Sequence, residues 1–248
     1  MSKFKKFIKY AKKINGELNQ LGVNHVFIKS YRLGEKYYDN NLDVLIKSSD
    51  YERLKSYLVK KGYLSSLSLK EPDKPLFDDG GKILLHIHKR LSWNNVNIIS
   101  NYKDVIKTKK KISINKTGLP VESDSYNLLI NFGHILFENF EITPGEHRHL
   151  KILLKQGFAD INFAKRIASE NGWEFGFNYM LTLIKAEKVK AVRKILPKVF
   201  LAVLLKKIKF EFLKKNYKTT VILVLFPFYY LIKLIRTLVK LPKFRIPL

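Results

Sequence analysis

Three short apolar runs in the first part of the chain restrict its fold more than any other feature of the sequence. They are residues 26–30, 40–46 and 84–88. Each run has the length and composition typical of a strand. Because alternate residues of a strand share a face, Asn41 and Asp43 should point to one side of the second run, and His86 and His88 to one side of the third. The sequence therefore predicts a sheet with polar side chains grouped on one face.

Helical patterns surround these strands. Apolar spacing, capping residues and glycine stops predict helices over residues 4–21, 51–61, 125–140, 149–168 and 173–185. Alternation predicts a further strand at residues 111–114. With 248 residues and 46% hydrophobic content, the chain is long and apolar enough for a folded core. We expect an α+β fold in which a small mixed sheet is followed by a helical bundle.

Composition divides the chain into three parts. A basic, turn-rich stretch at residues 108–123, which contains Gly118 and Pro120, marks the end of the part that carries the sheet. We therefore expect a sheet domain at residues 1–122, a helical domain at 123–185 and a basic, apolar helical tail at 186–248.

Four short motifs carry a resemblance to a known family by their order and spacing. They are Lys29-Ser30, Asn41-Leu42-Asp43-Val44-Leu45-Ile46, Gly62-Tyr63 and His86-Ile87-His88. On these motifs the first half of the chain resembles the uncharacterised nucleotidyltransferase-like family, whose members read roughly Lys-Gly, Asp-Ile-Asp, Gly-Tyr and Asp-Leu-His-Trp. The helical second half also looks like the family, with His134 and Asp160 at matching positions. The chain departs from the pattern at Ser30, Asn41 and His86, where the family has Gly, Asp and Asp.

The resemblance implies a nucleotidyltransferase-like fold and a reaction. In that reaction a nucleoside monophosphate passes from a nucleoside triphosphate to an acceptor. Asp43 would be the catalytic residue and metal ligand, with Asn41 as an auxiliary, while Lys29 and Ser30 would contact the phosphates. The nucleoside triphosphate and an unidentified acceptor are the partners that this reaction needs.

Magnesium is the cofactor that such a site implies. Asp43 is the remaining carboxylate of the motif, so it would hold Mg²⁺ only with help from oxygen atoms of the nucleotide. Asp39 would partly replace the missing carboxylate if the strand begins early. If the two strands are neighbours as in the resembling family, Asp43 and His86 would lie together, and His86 would be a weak further ligand. The alternative is that Asp43 ends a turn and that Asn40 and Asn41 are ordinary turn residues.

Two histidine pairs and two basic residues each have two interpretations. His86-x-His88 could hold a transition metal on one strand face, or it is a partly buried pair in the sheet. His147-x-His149 repeats the spacing near a helix start. Lys89 and Arg90 would suit phosphate contact or solvent equally well.

Two further acidic residues fall on predicted helices. His134 and Glu138 lie four residues apart, which favours a local hydrogen bond and also suits substrate orientation. Asp160 is flanked by apolar residues, and we expect it to form a salt bridge with Arg148 or Lys165.

The charge balance restricts the partners of the chain. Its 47 Lys and Arg residues oppose 21 Asp and Glu residues, giving a formal net charge of +26, which favours polyanions such as RNA, nucleotides or anionic lipid. The chain has no cysteine, which excludes disulfides and thiolate zinc sites. No ribonucleoprotein aromatic motif, P-loop or dinucleotide-binding glycine motif is present in the sequence.

The tail combines basic and apolar residues. Residues 185–248 hold seventeen Lys or Arg and two Glu. Residues 221–232 are uncharged, but this run is shorter than the roughly 20 residues that a bilayer span needs. It suits an interfacial anchor with Phe226, Phe228, Tyr229 and Tyr230 at headgroup depth, or a helix pair packed on the bundle. Residues 1–14 lack the apolar core of a secretory signal, so we expect a cytoplasmic protein. If the tail is the interfacial anchor, it would contact the inner face of the membrane.

Two functions follow from these observations. The first is a metal-dependent nucleotidyltransferase acting on an unidentified acceptor. The second is a catalytically lapsed member of the same fold that serves as a binding or scaffold protein at RNA or at the cytoplasmic membrane surface.

Overall fold

The structure, a computed structural model, describes residues 2–33, 40–68, 71–81, 83–94, 96–114, 117–186, 193–225 and 246–247. Along the chain the strands are β1 (His25–Phe27), β2 (Asn41–Ile46), β3 (Leu64–Ser68), β4 (Glu71–Asp78), β5 (Leu84–His88), β6 (Leu91–Trp93), β7 (Val96–Ile99), β8 (Lys110–Ile114), β9 (Thr117–Val121), β10 (Glu141–Ile142), β11 (Arg193–Lys194) and β12 (Ile246–Pro247). The helices are α1 (Lys3–Gln20), α2 (Tyr51–Lys60), α3 (Tyr102–Lys107), α4 (Asp124–His134), α5 (Pro144–Lys155), α6 (Ile161–Glu170), α7 (Glu174–Lys185) and α8 (Pro197–Leu213).

A mixed sheet forms the centre of the fold. Its strand order is β12-β3-β4-β5-β2-β1-β9-β8. The β2–β5 and β1–β9 pairs are parallel, and the other pairs are antiparallel. A sheet combined with segregated helices is an α+β fold, so the predicted fold class is confirmed.

The sheet separates two apolar cores. On one face, residues of α1 and α2 pack against Phe27, Val44 and Leu85. On the other face, Val26 and Leu45 belong to a larger core that includes residues of β6, β7 and the helices from α4 onward. Adjacent residues of β2 therefore enter different cores, as strand alternation requires. This second core spans the predicted boundary at residue 122, and the division into domains stays a prediction.

Most predicted elements are present, with shifted ends. The glycine stops are confirmed: Gly22 and Gly62 follow α1 and α2 with φ of 64° and 85°, a left-handed conformation that favours glycine. The predicted turn-rich boundary at residues 108–123 contains the β8–β9 hairpin, which joins the edge of the sheet. The helix predicted over residues 125–140 ends as α4 at His134 and continues as a π-helical turn, Ile135–Asn139.

The helix predicted over residues 149–168 is two helices. Gly157 adopts a φ of 64° after α5, and the Asp160 side chain caps α6 by accepting a hydrogen bond from the Phe163 backbone N–H at 2.9 Å. Asp160 therefore has a capping role in place of the predicted ion pair. Lys165, one of its predicted partners, lies 3.4 Å from the Glu174 carboxylate.

The described part of the tail is helical. α8 is followed by a helical stretch at residues 217–225. No helix in the described ranges is long and apolar enough to cross a membrane. The predicted anchor residues Phe226, Phe228, Tyr229 and Tyr230 lie outside the described residues.

Candidate active site

The register of two parallel strands brings Asp43 beside His86. The Cα atoms of these residues are direct partners across the β2–β5 pair, and those of Leu45 and His88 are partners two residues further on. The intervening residues Val44 and Ile87 are buried in the opposite core. The predicted neighbourhood of Asp43 and His86 and the predicted alternation are both confirmed.

Asp43 lies among three groups that can carry positive charge. Its Oδ1 atom is 2.8 Å from His88 Nε2, 3.6 Å from His86 Nδ1 and 3.7 Å from Lys29 Nζ. The side chains of Asp43 and His88 are fully buried, that of Lys29 is 3% exposed, and that of His86 is 16% exposed. His86 is therefore the most exposed member of this cluster.

The backbone at Lys29 has an unusual conformation. Lys29 directly follows the β1 strand region and adopts a φ of 57°, which few residues other than glycine adopt. Such a conformation costs on the order of 1–3 kcal/mol and often occurs at functional sites. Here it accompanies the placement of the ammonium group against Asp43, so the strain supports a functional interpretation of the cluster.

Trp93 lies against the same cluster. Its ring centroid is 5.7 Å from Lys29 Nζ, 6.4 Å from the His88 ring and 5.9 Å from the His134 ring. A cation over an indole face gains electrostatic stabilisation, and more of it when water is excluded. The indole therefore stabilises the buried ammonium and restricts the orientation of the neighbouring imidazole.

The donor set fits magnesium poorly without a nucleotide. Mg²⁺ prefers six oxygen ligands at about 2.0–2.1 Å, whereas this cluster offers one carboxylate and two imidazoles. The Lys29 ammonium already offsets the carboxylate charge. Bound to an oxygen-rich triphosphate, a divalent cation could still use Asp43 as one ligand.

A second buried polar cluster lies on the other side of residues 29–30. The Glu122 Oε1 atom accepts hydrogen bonds from the Ser30 backbone N–H at 3.0 Å and from Asn127 Nδ2 at 2.8 Å. Asn127 Nδ2 also donates to Ser30 Oγ at 2.9 Å. The end of β9 and helix α4 thus hold the turn that follows β1.

This cluster continues into the helices. Asn127 Oδ1 accepts hydrogen bonds from Asn131 Nδ2 and His149 Nε2, both at 2.9 Å. Burial raises the pKa of the Glu122 carboxyl to about 7 and lowers the pKa of His149 to about 4. His149 is therefore a neutral donor at pH 7, and Glu122 is held by neutral donors.

The other predicted site residues have different positions. Asn41 begins β2, half-buried, on the Asp43 face, and Asp39 lies outside the described residues. Lys89 Nζ lies 4.5 Å from the ring centroid of Tyr51, a residue of the core on the opposite face from Asp43. Arg90 is exposed. A phosphate-binding role for Lys89 and Arg90 stays a prediction.

The remaining histidines have local partners. His134 Nε2 lies 3.3 Å from Glu138 Oε2, as the four-residue spacing predicts. His147 and His149 do not form a metal group, and in the described ranges the group of three or more potential metal-ligating residues is Asp43, His86 and His88. The sequence analysis named Asp43 and His86 as ligands of one site, and the structure brings His88 to the same carboxylate.

Sequence reasoning missed Glu122, Asn127 and Trp93. Glu122 lies directly between the apolar end of β9 and the start of α4, where an acidic residue is a usable signal for a buried or functional carboxylate. Asn127 and Trp93 have no comparable local signal, because their roles depend on helix and hairpin packing.

One cavity lies at the other end of β1 and β2. Its volume is about 390 Å³, and it is lined by Asn24, Lys47, Ser48, Ser49, Tyr102, Lys103, Ile106 and Lys107. The Ser48 hydroxyl there lies 2.9 Å from Tyr102 Oη. Its lysines make this cavity a competitor of the Asp43 cluster for an anionic ligand.

Comparison with known proteins gives structural likenesses alone. No protein-family model and no curated protein sequence matches the chain. The structure is similar to the antibiotic-resistance factor ANT(2'')-Ia with a TM-score of 0.49 and 9% identity, over 72% of this chain and 96% of that one. It is similar to the lincosamide antibiotic adenylyltransferase LnuA, solved with lincomycin, with a TM-score of 0.42 and 13% identity, over 60% and 95% of the two chains.

A third similar structure is an antigenic nucleotidyltransferase-like protein from Paracoccidioides brasiliensis. The TM-score is 0.36 and the identity 13%, over 87% of this chain and 90% of that one. All three TM-scores lie below 0.5, and all three identities are 13% or less.

Proposed function

We propose that this protein is a nucleotidyltransferase that moves a nucleoside monophosphate from a nucleoside triphosphate to an acceptor hydroxyl. The observation that carries the proposal is the buried Asp43 carboxylate, placed by β2 beside Lys29 and beside two histidines of β5. A carboxylate and an ammonium on one sheet face are the groups needed to bind a triphosphate that arrives as its magnesium complex.

The proposed reaction is an in-line displacement at the α-phosphorus. The acceptor oxygen forms a new bond to this phosphorus, and the bond from the phosphorus to the oxygen bridging to the β-phosphate breaks. Pyrophosphate leaves with the bonding electrons, and the acceptor proton passes to water. Lys29 would neutralise charge on the phosphates, while Asp43, with Asn41 as an auxiliary, would contact the magnesium that the nucleotide brings.

Label transfer tests this function. Purified full-length protein is incubated with each α-³²P nucleoside triphosphate, Mg²⁺ or Mn²⁺ and fractionated host lysate, and labelled products are separated. We expect a labelled product that falls by at least about 100-fold in Asp43→Asn, because such sites depend on electrostatic stabilisation. Glu170→Gln is the control, since Glu170 is exposed and its ion pair with Arg166 measures 3.9 Å. No product with any nucleotide contradicts the proposal.

A second candidate function is membrane-surface association, favoured by exposed apolar residues in the tail. α8 buries Phe200, Val203 and Leu204, yet its other side exposes Leu201, Leu205 and Phe212 by 49%, 56% and 57%. The helical stretch at residues 217–225 exposes further large hydrophobic side chains. We call the exposed set the outer stripe: Leu201, Leu205, Phe212, Tyr217, Val221, Val224 and Leu225.

The outer stripe extends over both helical segments and has exposed lysines around it. The rings of Phe212 and Tyr217 lie 6.0 Å apart and join the two helical segments. The exposed lysines around it are Lys198, Lys206, Lys209, Lys214, Lys215 and Lys218. Apolar side chains flanked by lysines complement a bilayer with anionic headgroups, whereas RNA binding does not need the apolar stripe. The stripe thus favours a membrane over RNA as the partner of the tail.

Vesicle flotation tests this association. We expect the full-length protein to float with vesicles containing phosphatidylglycerol, and not with phosphatidylcholine alone. Leu205→Glu should abolish flotation, whereas Val59→Glu, a change at a 48% exposed apolar residue on α2, should not. Equal flotation of both variants, or binding to an RNA oligonucleotide without vesicle binding, contradicts membrane association.

A further inference from the structure

Three metal-ligating side chains converge on the sheet face that carries the candidate active site. Asp43 comes from β2, and His86 and His88 come from β5, its parallel neighbour. One ligand atom of each lies within 4.8 Å of the others. We propose that these residues form a binding site for a divalent transition-metal ion of the Zn²⁺ class, which the protein holds without a nucleotide. The proposal shares residues with the proposed function but does not require nucleotidyl transfer.

The distances suit a metal ion. Ligand atoms around a tetrahedral ion at about 2.0–2.1 Å are roughly 3.3 Å from one another. Asp43 Oδ1 lies 2.8 Å from His88 Nε2 and 3.6 Å from His86 Nδ1, so the two observed separations bracket this value. Small side-chain rotations would complete three ligand positions. Because His86 remains partly exposed, a water molecule or a substrate oxygen can supply the fourth.

The ligand types select the ion. Imidazole nitrogen suits Zn²⁺, Co²⁺, Ni²⁺, Fe²⁺ and Cu²⁺, whereas Mg²⁺ prefers oxygen ligands and retains its water. Two imidazoles and a carboxylate also form a recurrent ligand set of catalytic metal sites with an open position. The replacement of an expected acidic residue by His86 would therefore change the ion that the site accepts.

Lys29 sets the affinity of this site. Its ammonium lies 3.7 Å from Asp43 Oδ1, so it competes with a divalent ion for the same carboxylate and repels that ion. Removing this charge while keeping the length of the side chain should strengthen metal binding. A merely structural Asp43 cluster would give the opposite result, because the loss of Lys29 would loosen it without creating a metal site.

The experiment titrates metal-free, full-length protein with Zn²⁺ by calorimetry and with Co²⁺ by visible absorption, with Mg²⁺ in parallel and no nucleotide present. We expect the protein to bind one equivalent of Zn²⁺ and to give a Co²⁺ absorption spectrum that indicates a low coordination number. Mg²⁺ should bind at least about 100-fold more weakly than Zn²⁺. His86→Asn should weaken Zn²⁺ binding by at least about tenfold, and Lys29→Met should tighten it by about tenfold. His147→Asn, a buried histidine on α5, is the matched control.

The results have separate meanings for the two proposals. Zn²⁺ binding without label transfer would retain the metal site and remove the nucleotidyltransferase proposal. Absence of a bound transition metal, Mg²⁺ binding as tight as Zn²⁺ binding, or equal affinities of wild type and His86→Asn would overturn the metal proposal. If His86→Asn does not fold, the Zn²⁺ affinity of Lys29→Met still tests the metal proposal. A Zn²⁺ affinity equal to or weaker than that of the wild type would contradict the proposed competition between Lys29 and the metal ion.

Discussion

Two buried carboxylates flank the same short turn after β1, yet one has an ammonium group beside it and the other is held by neutral donors. Asp43 faces the Lys29 ammonium and two imidazoles, whereas Glu122 is held by the Ser30 backbone and the Asn127 amide. Adjacent residues of the turn thus serve different carboxylates: the side chain of Lys29 reaches Asp43, and the backbone of Ser30 reaches Glu122.

This difference separates a ligand site from a structural support. A carboxylate beside an ammonium group can exchange this partner for a metal ion or a magnesium–nucleotide complex. A carboxylate held by neutral donors is costly to ionise, and burial raises the pKa of Glu122 to about 7. We infer that the Asp43 cluster carries the chemistry, whereas the Glu122 cluster fixes the turn that presents Lys29.

The largest expected effect on stability comes from removing Asp43. Asp43→Ala leaves a buried ammonium without its carboxylate, which should lower the free energy of unfolding by about 3–5 kcal/mol. The double variant Asp43→Ala/Lys29→Met removes both charges, so it should recover at least about 2 kcal/mol of that loss. Urea unfolding at pH 7 measures both values. A double variant no more stable than the single one would show that charge pairing does not hold this cluster together.

The second largest expected effect is a pH dependence of stability that is caused by Glu122. Because its pKa rises from 4.5 in the unfolded chain to about 7 in the folded protein, the folded state binds more protons between these values. Stability should therefore fall as pH rises from about 4.5 to about 7, by about 3 kcal/mol from this group. Glu122→Gln, which keeps the acceptor oxygen, should remove this contribution and exceed the wild type in stability at pH 8.

The comparison between variant and wild type isolates Glu122 from the buried histidines. Burial lowers the pKa of His25 and of His149 to about 4, so these groups make stability rise with pH from about 4 to 6.5. They contribute equally to both proteins. Parallel stability curves for wild type and Glu122→Gln from pH 5 to pH 8 would contradict the raised pKa.

A smaller effect is expected from the Ser30 hydroxyl. Ser30→Ala removes the 2.9 Å hydrogen bond from Asn127 but keeps the backbone N–H that donates to Glu122. The loss should be about 1 kcal/mol in urea unfolding. A loss as large as that of Asp43→Ala would mean that the Glu122 cluster contributes as much to stability as the Asp43 cluster.

The smallest effect is expected for an exposed ion pair. Arg166 and Glu170 are 65% and 58% exposed, and their charged groups lie 3.9 Å apart. Glu170→Gln should change the free energy of unfolding by less than about 0.5 kcal/mol. A larger change would show that the stability assay responds to surface charge, and the buried-charge results would then need correction for it.

Local patterns predicted much of the fold. The runs containing Asn41–Ile46 and Leu84–His88 are strands, and the family resemblance correctly implied that they bring Asp43 and His86 together. Strands β3 and β4 were not predicted, because prolines at positions 72 and 75 and a serine-rich run argue against strands. Their pairing depends on sheet neighbours rather than on local preference.

The electrostatic part of the site could not be predicted. No local pattern in the sequence indicates that Lys29 adopts a left-handed backbone conformation or that its side chain is buried. The raised pKa of Glu122 likewise follows from its complete burial, which depends on packing against parts of the chain as far away in sequence as Ser30, 92 residues before it. Charges and pKa values at such sites depend on tertiary packing, which periodicity does not report.

Equilibrium binding of an α-³²P nucleoside triphosphate with Mg²⁺ tests the contrast between the two clusters most directly. Asp43→Asn and Lys29→Met should each weaken binding by at least about tenfold, while Glu122→Gln should change it by less than about threefold. Equal losses in all three variants would contradict the separation of ligand site and support. Unchanged binding in the first two variants, with loss in Lys103→Ala, would move the nucleotide to the basic cavity at the other end of β2.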